Sequence, residues 1–255
     1  MKTLTVVIAL AAALLNGPVR AVEPDVCEVP AYLLFGESEL KRVATAVKER
    51  RRLEIAVIGT ASSILPGSGV TAYPARLEAA LRARLPGVTV NVTSLAKPRQ
   101  TAAEMVQNIK KLLSDLVISD VKPDLVIWQS GTVDAMRGIE LDKFGAAIDQ
   151  GIERIQAAGA DVILMNMQYS PRTESMIAVD LYLDSMRASA REHEVPLFDR
   201  FAIMRNWSDI GAFDLYTATA NPAMAEKVHD CIGRALASVM IDAASLSSLE
   251  TKTAQ

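Results

Sequence analysis

Residues 123–134 read Pro-Asp-Leu-Val-Ile-Trp-Gln-Ser-Gly-Thr-Val-Asp, and this stretch decides the fold class. Its first half, residues 124–128, is a short and almost continuous apolar run, whereas its second half is small and polar. A run of this length that ends at turn residues is typical of a strand buried on both faces of a parallel sheet. We therefore predict a strand here, with a polar loop at its carboxyl end.

The same alternation of apolar strand and amphipathic helix recurs along the chain. Further strands are predicted over residues 53–58, 88–92, 161–165 and 195–198, and the last and longest helix over residues 222–243. Repeated strand–helix units predict an α/β fold: a single three-layer α/β/α domain with a doubly wound parallel sheet that is covered by helices on both faces. In such sheets ligands bind beyond the carboxyl ends of the strands, where the chain order reverses.

The chain of 255 residues suits one domain of this kind with additions at both ends. We predict a signal peptide over residues 1–21, an N-terminal segment and helix over 22–52, the α/β domain over 53–243 and a flexible tail over 244–255. Ser38 is a plausible N-cap for the N-terminal helix, which is predicted over residues 39–52. Lys2, the apolar run at residues 6–15 and the small residues before Val22 are typical of a secretory signal. A short uncleaved anchor is the alternative. The signal predicts a periplasmic or secreted protein with no integral membrane segment after cleavage.

Charge and cysteine content narrow the classes of partner. Removing Lys2 and Arg20 from the 27 Lys and Arg leaves 25, against 30 Asp and Glu, and this acidic balance argues against nucleic acid. The two histidines are not clustered, so the sequence predicts no metal and no organic cofactor. In an oxidising compartment Cys27 and Cys231 are candidates for a disulfide, and two buried free thiols are the alternative.

Three blocks at strand ends resemble the SGNH (GDSL-type) hydrolases. Residues 58–63, Ile-Gly-Thr-Ala-Ser-Ser, stand where that family carries its Gly-Asp-Ser or Gly-Ser-Ser block. Residues 123–134 resemble its PDLVIWQxGTND block, and Pro222 to Glu226 with the helix through Cys231 resemble its LHMSDxGYxC block. The resemblance spans about residues 53–243 and implies the SGNH hydrolase fold of exported bacterial esterases, with its flavodoxin-like sheet.

The catalytic positions of that family depart from its pattern here. The family needs a serine nucleophile, a glycine and an asparagine that hold the oxyanion, and an Asp-x-x-His pair that activates the serine. By the resemblance these five positions fall on Ala61, Arg99, Val133, Ala220 and Ala223. The resemblance therefore implies a retained scaffold without an intact catalytic set.

Polar side chains near the predicted strand ends are candidates for a binding cleft. They are Thr60, Ser62, Ser63, Arg99, Gln129, Asp134, Asn166, Gln168, Tyr169 and Arg172. A positive charge at Arg99 suits an anionic group such as a carboxylate; the alternative is that Arg99 pairs with Asp134 or faces water. We expect His193 to be a solvated surface residue and His229 to serve in packing.

These observations support three hypotheses for function. The first is a catalytically degenerate esterase that binds a small molecule, a glycan or acyl-modified sugar, or a partner protein. The second is an active SGNH esterase or acyl hydrolase that uses Ser62 or Ser63 with an unusual base. The third is a structural partner of an active enzyme, recognised through its surface.

Overall fold

The computed structural model describes residues 25–34, 36–64, 71–118, 122–216 and 222–250, so the predicted signal peptide lies outside the described residues. Five strands form one sheet: β1 (Arg52–Ile58), β2 (Thr89–Ser94), β3 (Leu125–Gln129), β4 (Asp161–Met165) and β5 (Leu197–Phe198). Their order is β2-β1-β3-β4-β5 and every neighbouring pair is parallel. This is the doubly wound, flavodoxin-like sheet that the sequence predicts.

Helices cover the sheet in two groups. Helix α2 packs on α9, while α3 packs on α5 and α5 on α7. The helices are α1 (Lys41–Thr45), which continues as a π-helical turn over Ala46–Arg50, α2 (Tyr73–Arg84), α3 (Ala102–Ile118), α4 (Thr132–Arg137), α5 (Leu141–Ala157), α6 (Pro171–Met176), α7 (Asp180–Glu192), α8 (Arg200–Asp209) and α9 (Pro222–Ala243). The short helices α4 and α6 have no counterpart in the sequence prediction.

The buried faces explain why these segments pack as they do. Along α5, Phe144, Ile148, Ile152 and Ile155 are fully buried, at the spacing of one helical face. Helix α9 approaches α2 at Gly233, where a Cβ would lie 2.7 Å from the backbone nitrogen of Leu77. Only glycine fits a contact this close to another helix's backbone.

The start of α1 differs from the prediction. A serine at position 38 is a plausible N-cap by sequence, but α1 begins at Lys41 and its N-cap residue makes no side-chain cap. Instead the Asp161 carboxylate, at the start of β4, accepts hydrogen bonds from the backbone nitrogens of Arg42 (2.8 Å) and Val43 (3.0 Å). A carboxylate from elsewhere in the fold thus performs the capping that a local serine was expected to provide.

Both ends of the described chain are fastened to the domain. Cys27 and Cys231 form a disulfide with their Cα atoms 4.9 Å apart, which confirms the predicted pairing. At the other end Leu246 is buried, and Glu250 pairs with Arg84 at 2.7 Å. Residues 244–250 of the predicted flexible tail thus lie against the domain, while residues 251–255 lie outside the described residues.

Within the part of the chain that the structure describes, no helix has the combination of length and apolar character needed to cross a bilayer.

Candidate functional site

The carboxyl ends of β1 and β3 lie side by side, since Ile58 pairs with Trp128 in the sheet. We call the side of the sheet where the strands end the carboxyl edge. Beyond β1 the chain passes through Gly59 into a 3₁₀ turn over Ala61–Ser63. A Cβ at position 59 would lie 2.4 Å from Ser63 Oγ and 3.1 Å from the side-chain oxygen of Gln129. A glycine is therefore required for this turn to close against β3.

Gln129, the last residue of β3, is the centre of a buried polar cluster. Its Oε1 accepts hydrogen bonds from the backbone nitrogen of Thr60 (3.2 Å) and from the hydroxyls of Ser62 and Ser63 (3.0 Å each). The Thr60 hydroxyl lies at 3.3 Å from the same oxygen. An amide oxygen has two lone pairs, so these donors share it. The Nε2 of Gln129 is buried and has no hydrogen-bond partner among the described residues.

Ser63 connects this cluster to α2 and α9. Its hydroxyl lies 3.0 Å from the phenol oxygen of Tyr73, and the backbone nitrogen of Tyr73 donates to His229 Nδ1 at 3.0 Å. Burial lowers the pKa of His229 to about 2, so the ring is neutral at physiological pH. Its Nδ1 lone pair is occupied by a backbone amide, in agreement with the packing role predicted for this histidine.

Arg200 brings a positive charge into the same place. It is the first residue of α8, directly after β5, and its side chain is only 1% exposed. Nη1 donates to Ser62 Oγ at 3.2 Å, and Nη2 lies 3.5 Å from the side-chain oxygen of Gln168. The guanidinium carbon stands 5.8 Å from the centre of the Tyr73 ring. We name Thr60, Ser62, Ser63, Gln129 and Arg200 the Gln129 cluster.

Sequence reasoning missed Arg200. It singled out residues after the first four strands but not after the fifth, which is only two residues long in the structure. The available signal was the pair Asp199-Arg200 immediately after that strand. Asn166, a predicted cleft residue, in fact positions this corner: it donates to Asp199 Oδ1 (2.7 Å) and accepts from the backbone nitrogen of Phe201 (2.9 Å).

Four of the five positions that the resemblance assigns to the family's catalytic residues are described, and they lie around the carboxyl edge. Ala61 is exposed, Val133 is half-buried in α4, and Ala223 is exposed in the first turn of α9. Ala220 lies outside the described residues. Arg99 is exposed, with a left-handed backbone (φ 62°). Its carbonyl accepts a hydrogen bond from Arg137 at 3.0 Å.

Asp134 was expected to line the cleft or to pair with Arg99, and the structure places it elsewhere. Its carboxylate is buried and accepts the backbone nitrogen of Ala102 on both oxygens, at 3.0 and 3.1 Å. It therefore caps the start of α3, because the first amides of a helix lack partners within it. No ion pair joins Asp134 to Arg99 in the described chain.

Three other predicted positions lie apart from the Gln129 cluster. The Tyr169 ring is buried edge-on against Phe201, with 5.2 Å between ring centres. The Arg172 guanidinium lies over the exposed ring of Tyr216 at 4.7 Å. His193, expected to be solvated, is 15% exposed at its side chain and lies 3.3 Å from Asp149. His193 follows the last residue of α7 and precedes β5. It therefore lies at the amino ends of the strands, on the side of the sheet opposite the carboxyl edge.

Among the described residues, no group of three or more His, Cys, Asp or Glu side chains is placed to hold a metal ion.

Comparison with known proteins gives the family. The model of the non-GDSL lipase-like family matches residues 26–246. The chain belongs to this family. The match begins before Cys27. The region shared with the family is therefore longer than residues 53–243, over which the sequence resembles the SGNH hydrolases. No curated protein sequence matches the chain.

Solved structures with the same fold include esterases of low sequence identity to this chain. An acetylxylan esterase from Geobacillus stearothermophilus, solved as a catalytic mutant, is 19% identical, with TM-score 0.58, over 73% of this chain and 93% of its own. TesA is 19% identical, with TM-score 0.55, over 72% and 98%. AlinE4, an SGNH-hydrolase family esterase, is 21% identical, with TM-score 0.51, over 69% and 82%. These similarities confirm the SGNH hydrolase fold of this non-GDSL lipase-like protein.

Proposed function

We propose that this protein is an exported, catalytically degenerate SGNH-fold protein that binds a ligand or partner at the carboxyl edge without hydrolysing an ester. The ligand class implied by the family resemblance is a glycan or an acyl-modified sugar. The proposal joins the family membership to the chemistry of the Gln129 cluster. It assigns binding, rather than bond cleavage, to the edge where the related fold carries its catalytic residues.

The observation that carries the proposal is the surroundings of the two serines next to Ala61. Ser62 and Ser63 contact an amide oxygen, a guanidinium and a phenol. At neutral pH none of these groups takes a proton from a hydroxyl, because the amide is not basic and burial raises the pKa of the Tyr73 phenol. Neither histidine forms a hydrogen bond to either serine within the described chain.

Export is supported by two independent features. Residues 1–21 have the composition of a secretory signal. The disulfide between Cys27 and Cys231 is of a kind that persists in oxidising compartments and is rare in the cytosol of mesophiles.

Hydrolysis of p-nitrophenyl acetate by the purified protein tests the loss of catalysis. We expect little or no turnover, because loss of a serine triad lowers kcat by about 10⁶, and the loss of an oxyanion donor lowers it by about a further 10²–10³. The Ser62→Ala/Ser63→Ala double variant is the matched control, and it should be indistinguishable from the wild type. A fluorophosphonate should label neither protein.

A second variant tests the assigned positions. Ala61→Ser, Ala220→Asp and Ala223→His together restore the family's residue types, and a measurable gain in turnover would support the correspondence. Wild-type turnover that disappears in the Ser62→Ala/Ser63→Ala variant would sink the proposal.

That last outcome would establish the alternative function, an active esterase or acyl hydrolase that uses Ser62 or Ser63. One observation favours it: Arg200 is a fixed cationic donor 3.2 Å from Ser62 Oγ. Such a donor next to a nucleophile stabilises negative charge on a tetrahedral intermediate. The alternative still requires a base, and the two single variants Ser62→Ala and Ser63→Ala would identify the nucleophile.

A further inference from the structure

Arg200 is a buried cation without an anion. Its side chain is 1% exposed, and within the described residues no carboxylate lies within ion-pair distance of it. The neighbouring Asp199 is engaged elsewhere, since it accepts from Arg187 at 2.8 Å and from Asn166 at 2.7 Å. Buried arginines are almost always paired, because removing a guanidinium from water without a counter-charge is strongly unfavourable.

The charge is retained in spite of this environment. Burial lowers the pKa of Arg200 to about 10, which still leaves the guanidinium protonated at neutral pH. Its contacts are with neutral oxygens, those of Ser62 and Gln168. The fold therefore maintains a positive charge at a position where charge opposes stability, and such positions occur preferentially at functional sites.

One edge of the guanidinium has hydrogen-bond donors that the described residues leave unused. Nε is buried and has no hydrogen-bond partner among the described residues, and the Nη2 contact to Gln168 is long at 3.5 Å. Nε and Nη2 form the edge that binds a carboxylate through two parallel hydrogen bonds. Tyr73 on one side helps to fix the plane of the group.

The cluster also connects this edge to solvent. Ser62 and Gln168, which both contact Arg200, are half-buried rather than buried. An anion that replaces the long Gln168 contact reaches Nε and Nη2 and leaves the hydrogen bond from Nη1 to Ser62 in place. Gln129 Nε2, which belongs to the same cluster, is a second buried donor without a partner in the described chain.

Exposed cations stand near the carboxyl edge. Lys97 donates its backbone nitrogen to the Gly59 carbonyl at 2.9 Å, which places it beside the end of β1. Lys97 and Arg99 are exposed, and neither forms an ion pair within the described residues. Unpaired charges of one sign around a cleft raise the local concentration of ligands of the opposite sign.

We propose that Arg200 binds the carboxylate of a small-molecule ligand at the carboxyl edge, an assignment of ligand class that rests on the binding function proposed above. The carboxylate forms a bidentate pair with Nε and Nη2, and Ser62 and Gln168 border it. A single buried cation balances a single negative charge, which favours a carboxylate over a doubly charged phosphate.

The test is a titration of the purified protein with acetate, with neutral acetamide and with inorganic phosphate, at constant ionic strength set with chloride. The readouts are Tm and the NMR signal of the Arg200 Nε–H, assigned from its absence in Arg200→Met. We expect acetate to raise Tm and shift that signal, acetamide to do neither, and phosphate to bind more weakly than acetate.

Three variants identify the residue responsible. Arg200→Met should lose the acetate response without loss of fold, and Arg200→Lys, which keeps the charge but not the two-pronged edge, should bind acetate about tenfold more weakly. Arg154→Met removes a half-buried arginine on α5 that donates to the Val106 carbonyl. It makes the same change in net charge and should respond like the wild type.

The inference is overturned if acetate leaves the wild type unchanged, if Arg200→Met responds equally, or if phosphate binds more tightly than acetate. Its failure is separable from that of the proposed function. Ester turnover by a protein that still binds acetate through Arg200 contradicts catalytic degeneracy alone. A protein without turnover and without an acetate response contradicts the carboxylate site alone.

Discussion

Gln129 is the hydrogen-bond acceptor for the hydroxyls of Ser62 and Ser63, which lie next to the position of the family's nucleophile. An imidazole at such a position would accept a proton, whereas an amide oxygen only accepts hydrogen bonds. The same residue orders the turn after β1 through the backbone nitrogen of Thr60. The hydrogen bonds to this amide oxygen therefore hold the Gln129 cluster in place without supplying a base.

Asp134 gives a prediction for pH dependence. Burial raises the pKa of this carboxyl above its ordinary range, although the hydrogen bonds from Ala102 oppose the shift. An acid whose pKa is raised on folding contributes stability at pH below its unfolded pKa, and this contribution is lost as pH rises through the folded pKa. The asparagine in Asp134→Asn does not titrate, so this variant does not lose that contribution to stability as pH rises.

The measurement is urea unfolding of the wild type and of Asp134→Asn at a series of pH values from the acid range to neutrality. The free energy of unfolding of the wild type should decrease relative to that of the variant as pH rises through and above the ordinary aspartate range. A relative increase over the same range would contradict the prediction.

At the residue scale the sequence predicts the positions near the carboxyl edge better than their roles. Ser62, Ser63 and Gln129 were singled out because they follow strands, and the structure brings them together. Asp134 was singled out for the same reason but caps α3, since a strand-end rule does not tell a carboxylate that faces a cleft from one that faces a helix end. Arg200 was missed because the residues that it contacts, Ser62, Tyr73 and Gln168, are distant from it in sequence.

Among the secondary-structure elements, the contact between α2 and α9 is sensitive to the addition of a single atom. Gly233→Ala would place a Cβ 2.7 Å from the backbone of Leu77, and backbone atoms cannot rotate away as a side chain can. We expect the free energy of unfolding to fall by about 1–3 kcal/mol, as in other overpacked cores. Urea denaturation measures the change.

Gly145→Ala is the matched control on α5. There the added Cβ lies 3.2 Å from the Ser185 hydroxyl, which can rotate. The intrinsic helix preference for alanine over glycine, roughly 0.5–1 kcal/mol, should then leave this variant as stable as the wild type or more so. Equal losses in the two variants would mean that the α2–α9 contact is not special.

Elements with strong periodicity are predicted well and short ones are not. Strand β4 and helix α9 have the bounds that the sequence predicts, because an apolar run or a long amphipathic face determines them locally. Helices α4 and α6 have six residues each and too few turns to show a period. The cap of α1 comes from Asp161, which is far from α1 in the sequence. A local sequence pattern does not reveal contacts between residues so far apart.

For the molecule as a whole, the disulfide is the largest single constraint. It joins positions 204 residues apart, and a link of that span removes much of the freedom of the unfolded chain. We expect the Cys27→Ser/Cys231→Ser variant to lose about 2–5 kcal/mol of unfolding free energy.

Thermal denaturation with and without a reductant checks this expectation. Reduction should lower the Tm of the wild type and leave that of the double variant unchanged. A wild-type Tm that does not respond to complete reduction would contradict it.

Cys27 and Cys231 were predicted to pair, with two buried free thiols as the alternative, and they do pair. The α/β fold class and the doubly wound sheet of the whole molecule follow from the repeated apolar strands and from the resemblance to the SGNH hydrolases. The anchoring of the chain ends does not. By sequence, Leu246 and Glu250 belong to a polar tail. Their contacts depend on where α2 and α9 lie in the fold, and the local sequence does not show this.

The bond between Cys27 and Cys231 also changes what a broken backbone looks like. Nearly the whole domain lies between these two residues, so a protease that cuts one peptide bond in that span leaves two fragments still covalently joined. On a gel without reductant the nicked protein would migrate as a single species of unchanged mass. An apparently intact band therefore says nothing about the continuity of the main chain until the sulfur–sulfur bond has been opened.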